Sequence, residues 1–374
     1  MSLQNRMKNA LLEKEKEGSL RQLTVSQNKI DFVSNDYLGL ARSAALHQNI
    51  EERYHQLPFS KNGSTGSRLL AGNSALAEEV ESYLAKIFKA EQAVIFNSGY
   101  AANQAALSCI PQKGDTILYD ELVHACMHDG MKLSRAERKS FKHNNLQDLE
   151  DQLRETDGKK FIAIESIYSM DGNQAPLTEI VNLAEQFDAS IILDEAHSTG
   201  AYGKNGAGLA VSLGLGSKID ARIYTFGKAM GVHGACIAGS STLANYLVNF
   251  ARPFIFSTAL SPHSLVSIQC AFGFLQNQLY LQESLQQNIQ FFLQNYHQNN
   301  LPNKIESQSA IQSVLINGNK QVMALAEQLQ QNGMDCRGIR FPSIKKGSER
   351  IRICLHAYNT ETEIKKLINT MKIF

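Results

Sequence analysis

Short apolar runs recur at Ala93–Asn97, Thr116–Tyr119, Phe161–Glu165, Ser190–Asp194, Ile223–Phe226 and Ala235–Ala238, with longer mixed stretches between them. Runs of that length predict buried strands, the intervening stretches predict helices, and their alternation predicts an α/β fold with a mostly parallel central sheet flanked by helices. Such sheets bind ligands beyond the carboxyl ends of their strands, so the residues just after each run are the first candidates for chemistry. Further on, residues 262–298 read as one long Gln-rich helix, its glutamines too interspersed with Leu, Ile and Phe for a low-complexity tract. Ser313–Ile316, Met334–Ile339 and Arg350–Leu355 predict strands, and Lys320–Asn332 and Thr360–Lys372 predict helices, which together make a smaller α+β C-terminal domain. The expected division is an N-terminal helix and arm over 1–45, a large domain over 46–265, and a linking helix with the small domain over 266–374.

A chain of 374 residues with 43% hydrophobic and 20% charged positions has enough apolar material for a large core. Its formal charge of +1 provides no general attraction to nucleic acid or to an anionic membrane, so an anionic substrate must be caught by local groups. No apolar run approaches the roughly 18 residues of a membrane span, and Met1–Gly18 is polar and charged, unlike a signal peptide. The expectation is a cytoplasmic protein. The six cysteines lack any C-x-x-C pair, which fits neither a zinc site nor a disulfide framework, and they are expected to be small core residues.

Lys228 follows the run ending in Tyr224-Thr225-Phe226-Gly227 and stands 34 residues after Asp194-Glu195-Ala196-His197. A lysine and an acid delivered from neighbouring strand ends suit a pyridoxal phosphate (PLP) site, where Lys228 forms an imine and Asp194 keeps the pyridine nitrogen protonated. A solvated loop lysine is the bland alternative. Asp194 to His197 also spells an ATP-driven helicase box, but no Gly-Lys here is followed by Ser or Thr, so the phosphate loop is missing. Asn97-Ser98-Gly99-Tyr100 opens a helix straight after a strand, which makes either a phosphate seat or simply a tight connection. His124 and His128 stand at i and i+4, yet Ala125 replaces the Glu of a metalloprotease motif and no third ligand is apparent, so no metal is expected. His124 suits stacking on a cofactor ring and handling a proton, and His128 suits a helix surface. Arg352 alternates with apolar positions on a half-buried strand, where it needs a carboxylate, supplied by either an amino-acid substrate or a structural ion pair.

Together these residues resemble the α-oxoamine synthases, PLP-dependent enzymes of the aspartate aminotransferase-like fold. The resemblance runs through Asp31–Leu40, Gly63–Arg68, Asn97–Asn103, His124-Ala125, Ser169–Gly172, the Asp194 and Lys228 motifs, Phe256–Thr258 and Arg352, nearly the whole chain. It implies decarboxylative condensation of an amino acid with an acyl thioester, first of all L-alanine with a pimeloyl thioester of coenzyme A or a carrier protein, on the route to biotin. Glycine with acetyl-CoA, serine with a palmitoyl thioester, a lyase or aldolase of the same fold, and a PLP-binding regulator without turnover are the alternatives. The resemblance further implies that Lys228 removes the α-proton with His124 over the ring. Ser169 and His197 would contact the ring oxygen, and Gly99, Tyr100 and Thr225 the phosphate. Thr258 would reach the phosphate of the other subunit of an obligate homodimer with sites at its interface. Arg352 and Asn35 would hold the amino acid's carboxylate, and Arg21 the distal carboxylate of the acyl chain. Three positions depart from the family's pattern: Thr65 stands where Gly is common, and Ala77 and Asn359 where His is common.

Overall fold

The computed structural model describes residues 1–25, 28–58, 61–299, 301, 304–342 and 344–372. In chain order its strands are β1 (Ile30–Asp31), β2 (Gln92–Phe96), β3 (Thr116–Asp120), β4 (Glu137–Phe141), β5 (Lys160–Glu165), β6 (Ala189–Asp194), β7 (Ala221–Thr225), β8 (Ala235–Gly239), β9 (Ile311–Leu315), β10 (Met334–Asp335), β11 (Arg337–Ile339) and β12 (Arg350–Cys354). The chain divides into two compact units, one of residues 35–169 and 174–285, the other of residues 1–34, 170–173 and 286–374.

The larger unit is built on a seven-stranded sheet in the order β2-β8-β7-β6-β5-β3-β4. Its ladders are parallel from β7 to β4, and β8 runs antiparallel to both β7 and β2. Ile162, Ile164, Ile191, Ile192, Leu193 and Ile223 are buried on its central strands. Each full burial of such a side chain contributes about 1.5–3 kcal/mol, which is why these segments read as continuous apolar runs. Strand β4 (Glu-Arg-Lys-Ser-Phe) went unforeseen because four of its five residues are exposed. It pairs only with β3, and a charged edge of this kind discourages pairing with another chain.

In the smaller unit, β11, β12 and β9 form an antiparallel sheet, and β1 pairs in parallel with β10. The single strand expected over Met334–Ile339 is therefore two strands in different sheets, with Cys336 between them. The single helix expected over residues 262–298 is likewise two, Pro262–Gln276 and Tyr280–Gln298. Asn277 ends the first, its side-chain amide donating back to the Gly273 carbonyl at 3.1 Å. That local competition for backbone groups is what makes Asn a helix terminator, and the apolar pattern does not register it. None of the helices among the described residues is long and apolar enough to cross a membrane.

Candidate active site

Four strands of the larger unit end in polar residues at one edge of the sheet: Asp120 on β3, Glu165 on β5, Asp194 on β6 and Thr225 on β7. Parallel pairing sets Glu165 directly opposite Asp194. Asp194 is buried and both its oxygens are engaged, Oδ1 by the Ala196 N–H and Oδ2 by the Asn103 amide, each at 2.7 Å. Glu165 differs: it is wholly enclosed, and its Oε1 has no partner. Burial, reinforced by the neighbouring Asp194 charge and only partly opposed by Lys228, pushes its pKa well above the ordinary glutamate value. Of two facing carboxyls in a dry site, one must keep its proton, and here that is Glu165.

Lys228 lies on the turn after β7, closed by the Gly231 N–H on the Lys228 carbonyl at 2.9 Å. Gly231 has φ 67°, and a Cβ there would collide with the backbone of Leu40 and Ala41. Lys228 Nζ is 3.0 Å from His197 Nε2, and His197 Nδ1 is 2.7 Å from the Tyr37 hydroxyl, which donates to Asn35 Oδ1 at 3.2 Å. An ammonium can only donate, so His197 Nε2 accepts from Lys228 and Nδ1–H points to Tyr37. These four residues form one directed chain of hydrogen bonds.

The helix Gly99–Cys109 starts against the end of β7. A Cβ on Gly99 would run into Thr225 Oγ1, and that hydroxyl is buried without a partner. The Ser98 cap engages only the Ala101 N–H, so Gly99 and Tyr100 retain the orphan N–H groups of a helix start. The Tyr100 hydroxyl donates to Asp129, and Asn97 Nδ2 reaches the carbonyl of exposed Thr258 at 2.9 Å. A phosphate-bearing cofactor fits this cradle, since its oxygens would satisfy both the Thr225 hydroxyl and the helix start.

His124 caps the helix Ala125–Leu133, its Nδ1 accepting the Cys126 N–H at 3.2 Å. Burial lowers its pKa, the Lys228 charge adds to this, and Asp194 opposes it. The ring is therefore neutral at pH 7. Ser169 is half-buried beyond β5. Glu195, the second letter of the helicase-like box, is fully buried and caps the short helix Leu209–Ser212 through the N–H groups of Leu209 and Ala210 at 3.0 and 2.8 Å. Its role is therefore structural.

Lys228, His124, Asp194, His197, Asn35, Gly99, Tyr100, Ser169, Thr225 and Thr258 all belong to this larger unit, whereas Arg352 and Arg21 belong to the smaller. Arg352 is half-buried on β12 and donates to Cys354 Sγ at 2.9 Å, and Arg21 is exposed. Tyr37, Asn103 and Glu165 were not singled out from the sequence. Tyr37 and Asn103 stand inside recognised motifs, but only the folded chain brings them against His197 and Asp194. Glu165 ended a predicted strand beside that of Asp194, a signal that strand adjacency alone makes visible.

The aminotransferase class I and II family matches residues 27–371, and the chain belongs to that family and, within it, to the α-oxoamine synthases, which are PLP-dependent acyltransferases. The 8-amino-7-oxononanoate synthase of Emericella nidulans is 38% identical over 391 residues, covering 99% of this chain and 95% of that one. The crystal structure of 8-amino-7-oxononanoate synthase from Francisella tularensis superposes with a TM-score of 0.80 at 30% identity, over 93% of this chain and 98% of that one. Serine palmitoyltransferase of Sphingomonas wittichii superposes with a TM-score of 0.91 over 100% and 98%, but at 24% identity that likeness concerns the fold.

Proposed function

We propose that the chain condenses L-alanine with a pimeloyl thioester, releasing carbon dioxide and the free thiol and giving 8-amino-7-oxononanoate. The observation that carries the chemistry is the meeting of Lys228, Asp194 and His124 at one sheet edge beside the unpartnered Thr225 hydroxyl. The substrate pair rests on the named relatives. When bound, PLP supplies a protonated pyridine ring that takes up the electron pair freed at the amino acid's α-carbon.

In this reading Asp194, fixed by Asn103 and Ala196, holds the pyridine nitrogen protonated. Lys228 Nζ would be the amine that attaches the cofactor and the base that takes the amino acid's α-proton. His197, aligned by Tyr37, and Ser169 hold the ring oxygen. Gly99, Tyr100 and Thr225 would seat the phosphate, and His124 would cover the ring. Arg352 and Asn35 take the amino acid's carboxylate and Arg21 the distal acyl carboxylate, on the strength of their motifs. Exposed Phe256, Phe250 and Leu133 of the larger unit form an apolar surface suited to a second copy of the chain, with Thr258 serving the partner's phosphate. A cytoplasmic homodimer completes the proposal.

The test is to load the purified chain with PLP and pair L-alanine, glycine or L-serine with pimeloyl-CoA, acetyl-CoA or palmitoyl-CoA, following release of thiol and carbon dioxide. Both products are expected only from L-alanine with the pimeloyl thioester. Release confined to glycine with acetyl-CoA, or carbon dioxide without any thioester requirement, would refute the assignment. Lys228→Ala is expected to lose about 10⁴-fold or more in turnover.

A further inference from the structure

Histidine has two ring nitrogens, and which one carries the proton decides whether it offers a site an N–H or a lone pair. For His124 the helix that it caps answers the question. The backbone N–H of Cys126 points at His124 Nδ1 from 3.2 Å, and a backbone N–H can only donate. The Cys126 sulfur lies 2.9 Å from the same nitrogen. A proton on Nδ1, in either the neutral or the charged ring, would set donor against donor at the helix start.

The thiol points to the same state. Cys126 is 3% exposed, and burial, reinforced by the Asp194 charge, drives its pKa far above the ordinary value. It is therefore an S–H and able to donate. Burial of His124 meanwhile disfavours the doubly protonated ring.

We propose that Cys126 is a positioning residue that holds His124 as its Nε2–H tautomer, so that the ring offers the active site a hydrogen-bond donor. The inference deepens the reaction proposed above and rests on that reading for its catalytic meaning. His124 then stabilises negative charge on an oxygen of the reacting groups without itself being a base. With Nε2 already protonated, the only lone pair left to act as a base is that of Nδ1, and protonating it would set that nitrogen against both contacts to Cys126. His124, which its motif suits to stacking on the ring and handling a proton, is assigned donation by this geometry.

The experiment is nitrogen NMR on the PLP-loaded protein labelled with ¹⁵N-histidine, with the His124 signals assigned by their loss in His124→Gln. Nε2 is expected in the protonated range and Nδ1 in the unprotonated range. In Cys126→Ala the Nδ1 signal should move towards that of a free lone pair, and kcat should fall about threefold to tenfold, as for one neutral hydrogen bond, with KM little changed. Cys126→Ser should restore both, because a hydroxyl can donate where the thiol did. A protonated Nδ1 in the parent protein overturns the proposal, and so does a Cys126→Ala variant whose Nδ1 signal is unmoved, whatever its kcat. The NMR result needs no substrate, so failure of the substrate assignment and failure of this inference are read separately.

Discussion

Around Asp31 in the smaller unit, the polar groups close on one another. Its Oδ1 accepts the N–H groups of Val33 and Ser34 at 3.0 and 2.9 Å, and its Oδ2 accepts the hydroxyls of Ser34 and Tyr358 at 2.7 and 3.0 Å. His356, fully buried, faces the Ser34 carbonyl through Nε2 and Asn359 Oδ1 through Nδ1, both at 3.0 Å. Asn359 Oδ1 already accepts the His356 N–H at 2.9 Å, so its orientation is set and the ring Nδ1–H donates to it, while Nε2 also lies 3.2 Å from the Ser34 hydroxyl. Around Asp194 in the larger unit, a comparable carboxylate is held just as firmly, yet Thr225 Oγ1, Glu165 Oε1 and Asn103 Oδ1 are left without partners. A buried network that only supports a fold satisfies its members, and one that awaits a ligand leaves some open.

The comparison can be broken from either side. The largest expected effect is at the open site: Asp194→Asn should cut turnover by about 10³-fold while the unfolding midpoint in urea moves little, as steady-state kinetics and denaturation would show. Loss of stability with turnover intact would mean that Asp194 is structural after all.

At the closed site the signs reverse. His356→Ala should lower the unfolding free energy by about 2–3 kcal/mol with an unchanged denaturant slope, because it removes a fully buried ring and leaves the Ser34 carbonyl and Asn359 Oδ1 short of their donors. Burial alone would raise the Asp31 pKa, but the Ser34 and Val33 donors and the His356 charge outweigh it and hold it well below the ordinary aspartate value of 3.8. Its stabilisation is therefore fully present above that value and is lost as pH falls below it. Asp31→Asn should be less stable at neutral pH and show a shallower decline below about pH 4 in acid denaturation.

Glu165 sharpens the contrast through the opposite shift. Its folded pKa lies above the ordinary glutamate value of 4.5, so the stability it contributes is present below that value and is lost as pH rises. Glu165→Gln keeps the neutral form, and thermal melts should show it gaining on the parent protein between about pH 5 and pH 8. The smallest effect belongs to Thr65, a β-branched residue held at φ 56° where glycine is common in the family. Thr65→Gly relieves that strain but loosens the unfolded chain, for a net gain of about 0.5 kcal/mol, readable as a small rise in Tm.

The local signals in the sequence were enough to set Asp194, Thr225 and Lys228 at strand ends, because short apolar runs and the residues just after them are neighbours along the chain. They were also enough for the family resemblance, which the comparisons bear out. They did not reveal the charged edge strand β4, whose place depends on pairing and not on apolarity, or the break at Asn277, which one side-chain amide decides. The departures were legible as letters and not as physics: Asn359 became the acceptor that orients His356, and Thr65 kept a glycine's backbone. Chain proximity determined which residues stand at the sheet edge. Only the tertiary structure decided their protonation and partners, since Asn103 meets Asp194, Tyr37 meets His197 and Glu165 meets Asp194 across large sequence separations, and hydrogen bonding and desolvation depend on what is near in space.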